Sequence, residues 1–118
     1  MAAQIELKTK RPGDATHFAR KGATCRIHYE GKLSDGTIFD SSRKREKALI
    51  FKLGEGQLIA GLEDGISRMS TGQICIFQIP PSLAYGVNGY LPVVPPNATL
   101  SYEVELIAFS FEDDKGLI

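Results

Sequence analysis

Between Cys25 and Leu33 the side chains alternate without a break. Cys25, Ile27, Tyr29, Gly31 and Leu33 fall on one side, and Arg26, His28, Glu30 and Lys32 on the other. A period of two marks a β-strand with one dry face and one wet face. The pattern returns from Ala98 to Phe109, where Leu100, Tyr102, Val104, Leu106 and Ala108 interleave with Thr99, Ser101, Glu103 and Glu105. Two long half-buried strands call for an antiparallel sheet with an apolar layer on one face. Shorter strands are expected around Ile5 and Leu7, at Thr37-Ile38-Phe39, and from Ala48 to Leu53 with Leu49, Phe51 and Leu53 inward. Ser34-Asp35-Gly36 turns the second strand into the third, because Asp-Gly supplies a positive φ at little cost. Ile74 to Ile79 is apolar on both faces, which predicts a central strand covered by a helix. Only Leu58, Ile59, Leu62 and Ile66 recur at helical spacing. Gly61 and Gly65 keep that helix short and let it lie close to its neighbour. The expected fold class is α+β, an antiparallel sheet wrapped on one short helix.

A chain of 118 residues predicts one domain, 1–118, with its core at about 22–109 and a loose tail at 110–118. Lys plus Arg and Asp plus Glu number 14 each, so no global field favours nucleic acid or an anionic membrane. Cys25 and Cys75 make no disulfide framework and read as two reduced, buried thiols. No stretch approaches the ~20 apolar residues of a membrane span, and no signal-like run opens the chain. The cytoplasm is the expected compartment.

Catalytic motifs of the usual kinds are absent: no Gly-x-Ser-x-Gly, phosphate loop or dinucleotide fingerprint. Cys25 and His28 fall on opposite faces of their strand, so no metal site is expected. His17 and His28 read as surface residues. Asp40 and Glu63 could serve as the paired carboxylates of a hydrolase, although nothing places them together. What the chain does supply is a set of aromatic and branched residues near strand and loop ends: Tyr29, Phe39, Leu49, Ile59, Leu62, Tyr85, Tyr90 and Tyr102. Taken singly, Tyr29, Phe39, Leu49 and Leu62 read as ordinary core. Tyr85-Gly86 lies in the long connection from Ser82 to Asn97, and loops of that length are often functional.

The motifs Tyr29-Glu30-Gly31, Asp35-Gly36, Phe39-Asp40-Ser41-Ser42, Leu53-Gly54 and Ile59-Ala60-Gly61-Leu62-Glu63-Asp64-Gly65 come in order. Met69-Ser70-Thr71-Gly72, Ala84-Tyr85-Gly86 and Val94-Pro95-Pro96-Asn97-Ala98-Thr99-Leu100 follow them. Together they resemble the FKBP family of peptidyl-prolyl cis-trans isomerases, from about Gln4 to Phe109. The resemblance implies a five-stranded antiparallel sheet curled around one short helix, with an apolar cavity between them. It implies catalytic roles for Tyr29, Phe39, Asp40, Tyr85 and Tyr102. It implies ligand contacts from Leu49, Leu58, Ile59, Leu62, Tyr90, Val93 and Val94, with Arg45 supporting Asp40. Asp40 has a second reading as a turn cap in Asp40-Ser41-Ser42. Leu62 stands where most members carry tryptophan, Leu49 and Tyr102 where phenylalanine is common, and Tyr90 where histidine is frequent. Proline-containing peptides or proteins are the implied substrates, and the macrolides tacrolimus and rapamycin the implied ligands. The expected protein is a monomer without metal or organic cofactor. A non-catalytic docking module built on the same cavity is the alternative.

Overall fold

The computed structural model describes residues 3–111. In chain order it holds β1 (Glu6–Arg11), β2 (Thr24–Lys32), β3 (Ile38–Ser41), β4 (Leu49–Lys52), α1 (Ala60–Ile66), β5 (Ile74–Ile79) and β6 (Leu100–Ser110). The sheet runs β1-β5-β6-β2-β3, and β4 also pairs with β2. Every pairing is antiparallel. β3 takes Glu30 to Lys32 of β2, and β4 takes Thr24 to Ile27 along the same edge. The two are halves of one interrupted strand, so the sheet has five strand positions. Residues 42–48, with the charged run Arg43 to Lys47 in their middle, form the interruption. Ser42 closes the gap between the halves: its backbone N–H donates to the Tyr29 carbonyl at 2.9 Å, and its Oγ accepts the Tyr29 N–H at 2.7 Å. This keeps the backbone of Tyr29 paired on the edge that neither β3 nor β4 covers.

The inward residues of these strands meet α1 in one cluster. Ile27, Ile66, Phe77, Leu100, Val104 and Leu106 are fully buried, each stabilising the fold by about 1.5–3 kcal/mol through burial. Ile5 and Ala19 join the cluster from before residue 22. The helix lies directly on β5. A Cβ at Gly61 would stand 2.4 Å from Ile79 Cγ2, and one at Gly65 2.6 Å from the Phe77 ring. Both positions therefore need glycine for close approach.

Three expectations change. The helix starts at Ala60, so Leu58 and Ile59 stand outside it. Gly54 and Gly56, at φ of 91° and 70°, carry the chain off β4, and Ile59 keeps an extended ψ of 150° as the cap residue. β5 is not buried on both faces. Cys75, Phe77 and Ile79 face the core, while Gln78 is exposed and Ile74 and Ile76 are half-buried. Ile76 pairs between Lys8 and Glu103, so it shares the outer face with two long charged side chains. Ala108 leaves the inward row. Ile27 pairs with Leu106 and Arg26 with Ala108, so Ile107 is the extra residue of a bulge. A single inserted residue flips the faces; Ala108 is exposed and Phe109 turns toward the core.

Ser110, placed in the tail by sequence, still pairs with Thr24. Phe111 packs edge-on against Phe109 at 6.0 Å, with the Arg20 guanidinium 4.5 Å above its ring. The expected loose tail at 112–118 lies outside the described residues. Cys25 and Cys75 are buried and unpaired, and burial pushes the Cys25 thiol up to about 11. Among the described residues, no helix is long and apolar enough to cross a membrane.

Candidate active site

A cavity of about 320 Å³ opens where the sheet, the helix and two loops meet. β2 contributes Ile27 and Tyr29, β3 Asp40, β4 Leu49, and β6 Tyr102. The turn before the helix contributes Gly56, Gln57, Leu58 and Ile59; α1 contributes Leu62, and the loop after β5 contributes Tyr85. Of the residues expected from sequence, Tyr29, Asp40, Leu49, Leu58, Ile59, Leu62, Tyr85 and Tyr102 come together here. Leu62 and Tyr102 are buried, at 5% and 3% exposure.

The other expected residues lie next to this lining or away from it. Phe39 is the extra residue of a bulge, since Gly31 pairs with Asp40 and Lys32 with Ile38. Its ring meets Tyr102 edge-on at 5.7 Å and buttresses it. Val94 is core, at 1% exposure. Tyr90 and Val93 are exposed, and Tyr90 stacks on Tyr85 with ring centres 5.3 Å apart. Arg45 reaches the site through its partners. Ile27, Gly56 and Gln57 were not anticipated. The alternation that placed Tyr29 inward also placed Ile27 beside it. Gly56 and Gln57 gave no chemical signal, because a glycine-rich turn reads only as a strand stop.

The one carboxylate in the lining is tied down. Tyr29 donates its phenol O–H to Asp40 Oδ2 at 2.7 Å, Arg45 donates to the Tyr29 hydroxyl at 2.8 Å, and Arg45 also pairs with Asp40 Oδ1. Burial, and then the bond to Asp40, raise the pKa of Tyr29. The turn after β3 is held by Ser41, whose Oγ accepts the Lys44 N–H at 3.3 Å. Gln57 Oε1 accepts the Lys52 N–H at 2.8 Å and fixes its turn against β4. Two phenols stand otherwise. Tyr85 and Tyr102 both line the cavity, and neither hydroxyl bonds to any described residue. Burial raises the pKa of both.

Glu63 is not a partner of Asp40. It lies outside the lining, its Oε2 accepts the Gly54 N–H at 3.2 Å, and its Oε1 is buried without a partner among the described residues. The paired-carboxylate geometry of a hydrolase is therefore missing. His28 Nδ1 bonds Ser42 Oγ at 2.9 Å, away from buried Cys25. Among the described residues no group of His, Cys, Asp and Glu is placed to hold a metal.

The lining has no Ser, Cys, His or Lys side chain to act as a nucleophile. Such a pocket suits a protein that grips and reshapes a ligand without breaking bonds. Residues 15–107 match the family described as FKBP-type peptidyl-prolyl cis-trans isomerase. FK506-binding protein 1 of Rhizopus delemar is 42% identical over 103 residues, covering 87% of this chain and 95% of that protein. FK506-binding protein 1A of Emericella nidulans is 43% identical over 103 residues, with the same coverage of each chain. The chain belongs to the FKBP-type peptidyl-prolyl cis-trans isomerases.

Proposed function

We propose that the 320 Å³ cavity is where this isomerase turns X-Pro bonds and that it also takes macrolides. The observation that carries the reading is the lining itself: apolar and aromatic walls around a carboxylate already paired with Arg45. A planar amide owes its barrier of ~18–20 kcal/mol to resonance, and uncatalysed X-Pro exchange takes tens to hundreds of seconds. Resonance places charge on oxygen and nitrogen, and water stabilises that polar planar form. As the bond twists the charge separation is lost. Walls of Leu62, Tyr102, Ile27 and Leu49 withdraw the help of water from the planar state and fit the twisted one better. No proton need move.

The free donors give orientation. The Ile59 N–H and the Tyr85 hydroxyl bond to no described residue, so both are available to substrate carbonyls. Asp40 stays at the edge, held by Tyr29 and Arg45, and gives the rim a polar side. Phe39 acts by holding Tyr102. Tyr90 and Val93 extend the rim outward, and Val94 supports it from the core. The macrolide reading draws on the two relatives, each named for binding FK506. Two unpaired buried thiols suit a reducing compartment, and we assign the enzyme to the cytoplasm as a monomer.

The test is Leu62. Leu62→Asp puts a carboxylate into a dry pocket, where it must be solvated or protonated, and kcat/KM on a prolyl peptide should collapse. Leu62→Trp should tighten macrolide binding by about 0.5–1.5 kcal/mol through an aromatic contact. If Leu62→Asp matched the parent in turnover and macrolide Kd, the reaction would lie elsewhere.

A further inference from the structure

Three phenols line the cavity, and they differ in one respect. The Tyr29 hydroxyl is saturated, donating to Asp40 and accepting from Arg45. Tyr85 sits in a loop and is partly exposed, so water can serve its hydroxyl. Tyr102 is 3% exposed and lies on β6 in the middle of the sheet, and its hydroxyl bonds to no described residue. Its ring is buried, but its unbonded hydroxyl is not among the fully buried polar atoms and keeps an opening at the cavity wall, so a ligand that seats there must either bond it or strip it of water.

The ring cannot turn away to find one. Its backbone pairs with Gly31 on one side and Phe77 on the other. Phe39 meets it edge-on at 5.7 Å, and Tyr29 lies across it at 6.2 Å. Space for the ring exists only because Gly31 has no side chain; a Cβ there would stand 2.8 Å from Tyr102 Cε1. A donor fixed this firmly at a cavity wall is preorganised.

We propose that Tyr102 is a specificity-determining residue of this isomerase, its hydroxyl donating a hydrogen bond to a ligand carbonyl outside the rotating X-Pro amide. The inference rests on the cavity being the reaction site. The choice of acceptor follows from the chemistry. A donor on the oxygen of the rotating amide would stabilise the planar ground state and slow the reaction. A donor on a neighbouring carbonyl binds ground and transition states alike, and such a contact lowers KM without changing kcat. The site then favours ligands with an acceptor at that place and disfavours those without one, since the hydroxyl would be sealed in unpaired.

Tyr102→Phe removes the one atom and keeps the ring. The loss in kcat/KM should be about three- to tenfold, carried by KM. Thermal unfolding of the free protein should be unchanged, because the hydroxyl has no partner among the described residues to lose. Leu62→Asp is run beside it to report on the cavity. Parental KM in Tyr102→Phe with an inactive Leu62→Asp would leave the cavity in place and refute the role of the hydroxyl. A loss confined to kcat would refute the ground-state contact, and a lower Tm would show that the hydroxyl has a structural partner. If Leu62→Asp kept parental activity, the inference would fall with the cavity.

Discussion

Replacing Gly31 by alanine adds one methyl group, and the structure says what that group meets. Gly31 lies on β2 opposite Asp40 of β3 and Tyr102 of β6. Its new Cβ would stand 2.7 Å from Phe39 Cζ, 2.8 Å from Tyr102 Cε1 and 3.0 Å from Phe39 Cε2. Carbon atoms pack at about 3.5–4.0 Å, so both rings must retreat by roughly 1 Å. Overpacking of this kind costs about 1–3 kcal/mol. Replacing glycine within a strand returns about 0.5–1 kcal/mol of backbone entropy. The expected net loss is about 1–2 kcal/mol, read as a lower urea midpoint at unchanged m-value. Activity should suffer more than stability, because a 1 Å misplacement at a reacting site can cost on the order of 100-fold. A protease-coupled prolyl isomerisation assay measures it. Phe39→Leu in the same chain removes the two phenyl atoms in the way and should recover part of the loss, with a coupling on the order of 1 kcal/mol. If Gly31→Ala unfolded and turned over like the parent, the packing of Phe39 and Tyr102 described above would be wrong.

Tyr85→Phe should fold normally and lose about 0.5–1.5 kcal/mol of substrate binding; unchanged turnover and ligand affinity would show that the hydroxyl has no role. Asp14 accepts the N–H groups of Thr16 and His17 at 3.0 Å each and bonds His17 Nδ1 at 2.7 Å. The two backbone bonds, His17 first, hold it down to about 2. Its unfolded value is about 3.9, so its contribution is complete above that pH and is lost as pH falls from about 4 toward 2. Asp14→Ala should flatten that part of a stability–pH curve, and an unchanged acid limb would contradict the bonding. The Cys25 thiol, raised to about 11 by burial, should stay silent to a thiol reagent near pH 8 in the native state and react in urea; rapid native labelling at Cys25 would oppose its buried position.

Alternation carried most of the fold, because a strand with one wet face writes its geometry into every second residue. It failed where one residue broke the count. Nothing local marks Ile107 as a bulge, so the alternation carries Ala108 on as an inward residue. It overstated burial: Ile74 to Ile79 is an inner strand under the helix, as its apolar run implies, but its outer face, with Ile76, is only half covered. Helical spacing overreached at Leu58 and Ile59, which face the cavity from an extended turn. In the site, only the family motifs single out Tyr29 and Asp40, since by type Tyr29 reads as core and Asp40 as a turn cap, while Tyr85 stands out by its place in a long loop. Only a three-dimensional contact separates Phe39, which braces the wall, from Tyr102, which forms it. The bond from Gln57 to Lys52 is equally invisible, since it depends on how the chain leaves β4.

The interrupted edge of the sheet bears on how this protein behaves among other chains. An isomerase meets partly folded polypeptides whose unpaired strands seek a template, and a long flat sheet edge would be one. On one side the edge is offered only as β3 and β4, four residues each, split by Arg43-Lys44-Arg45-Glu46-Lys47 with Glu46 at a φ of 54°. On the other side β1 carries Lys8, Lys10 and Arg11, and its register shifts between Thr9 and Arg11. Neither margin presents a run of regular backbone long enough to extend. An isomerase with such margins can meet a partly folded client with little risk of being drawn into the client's own aggregation.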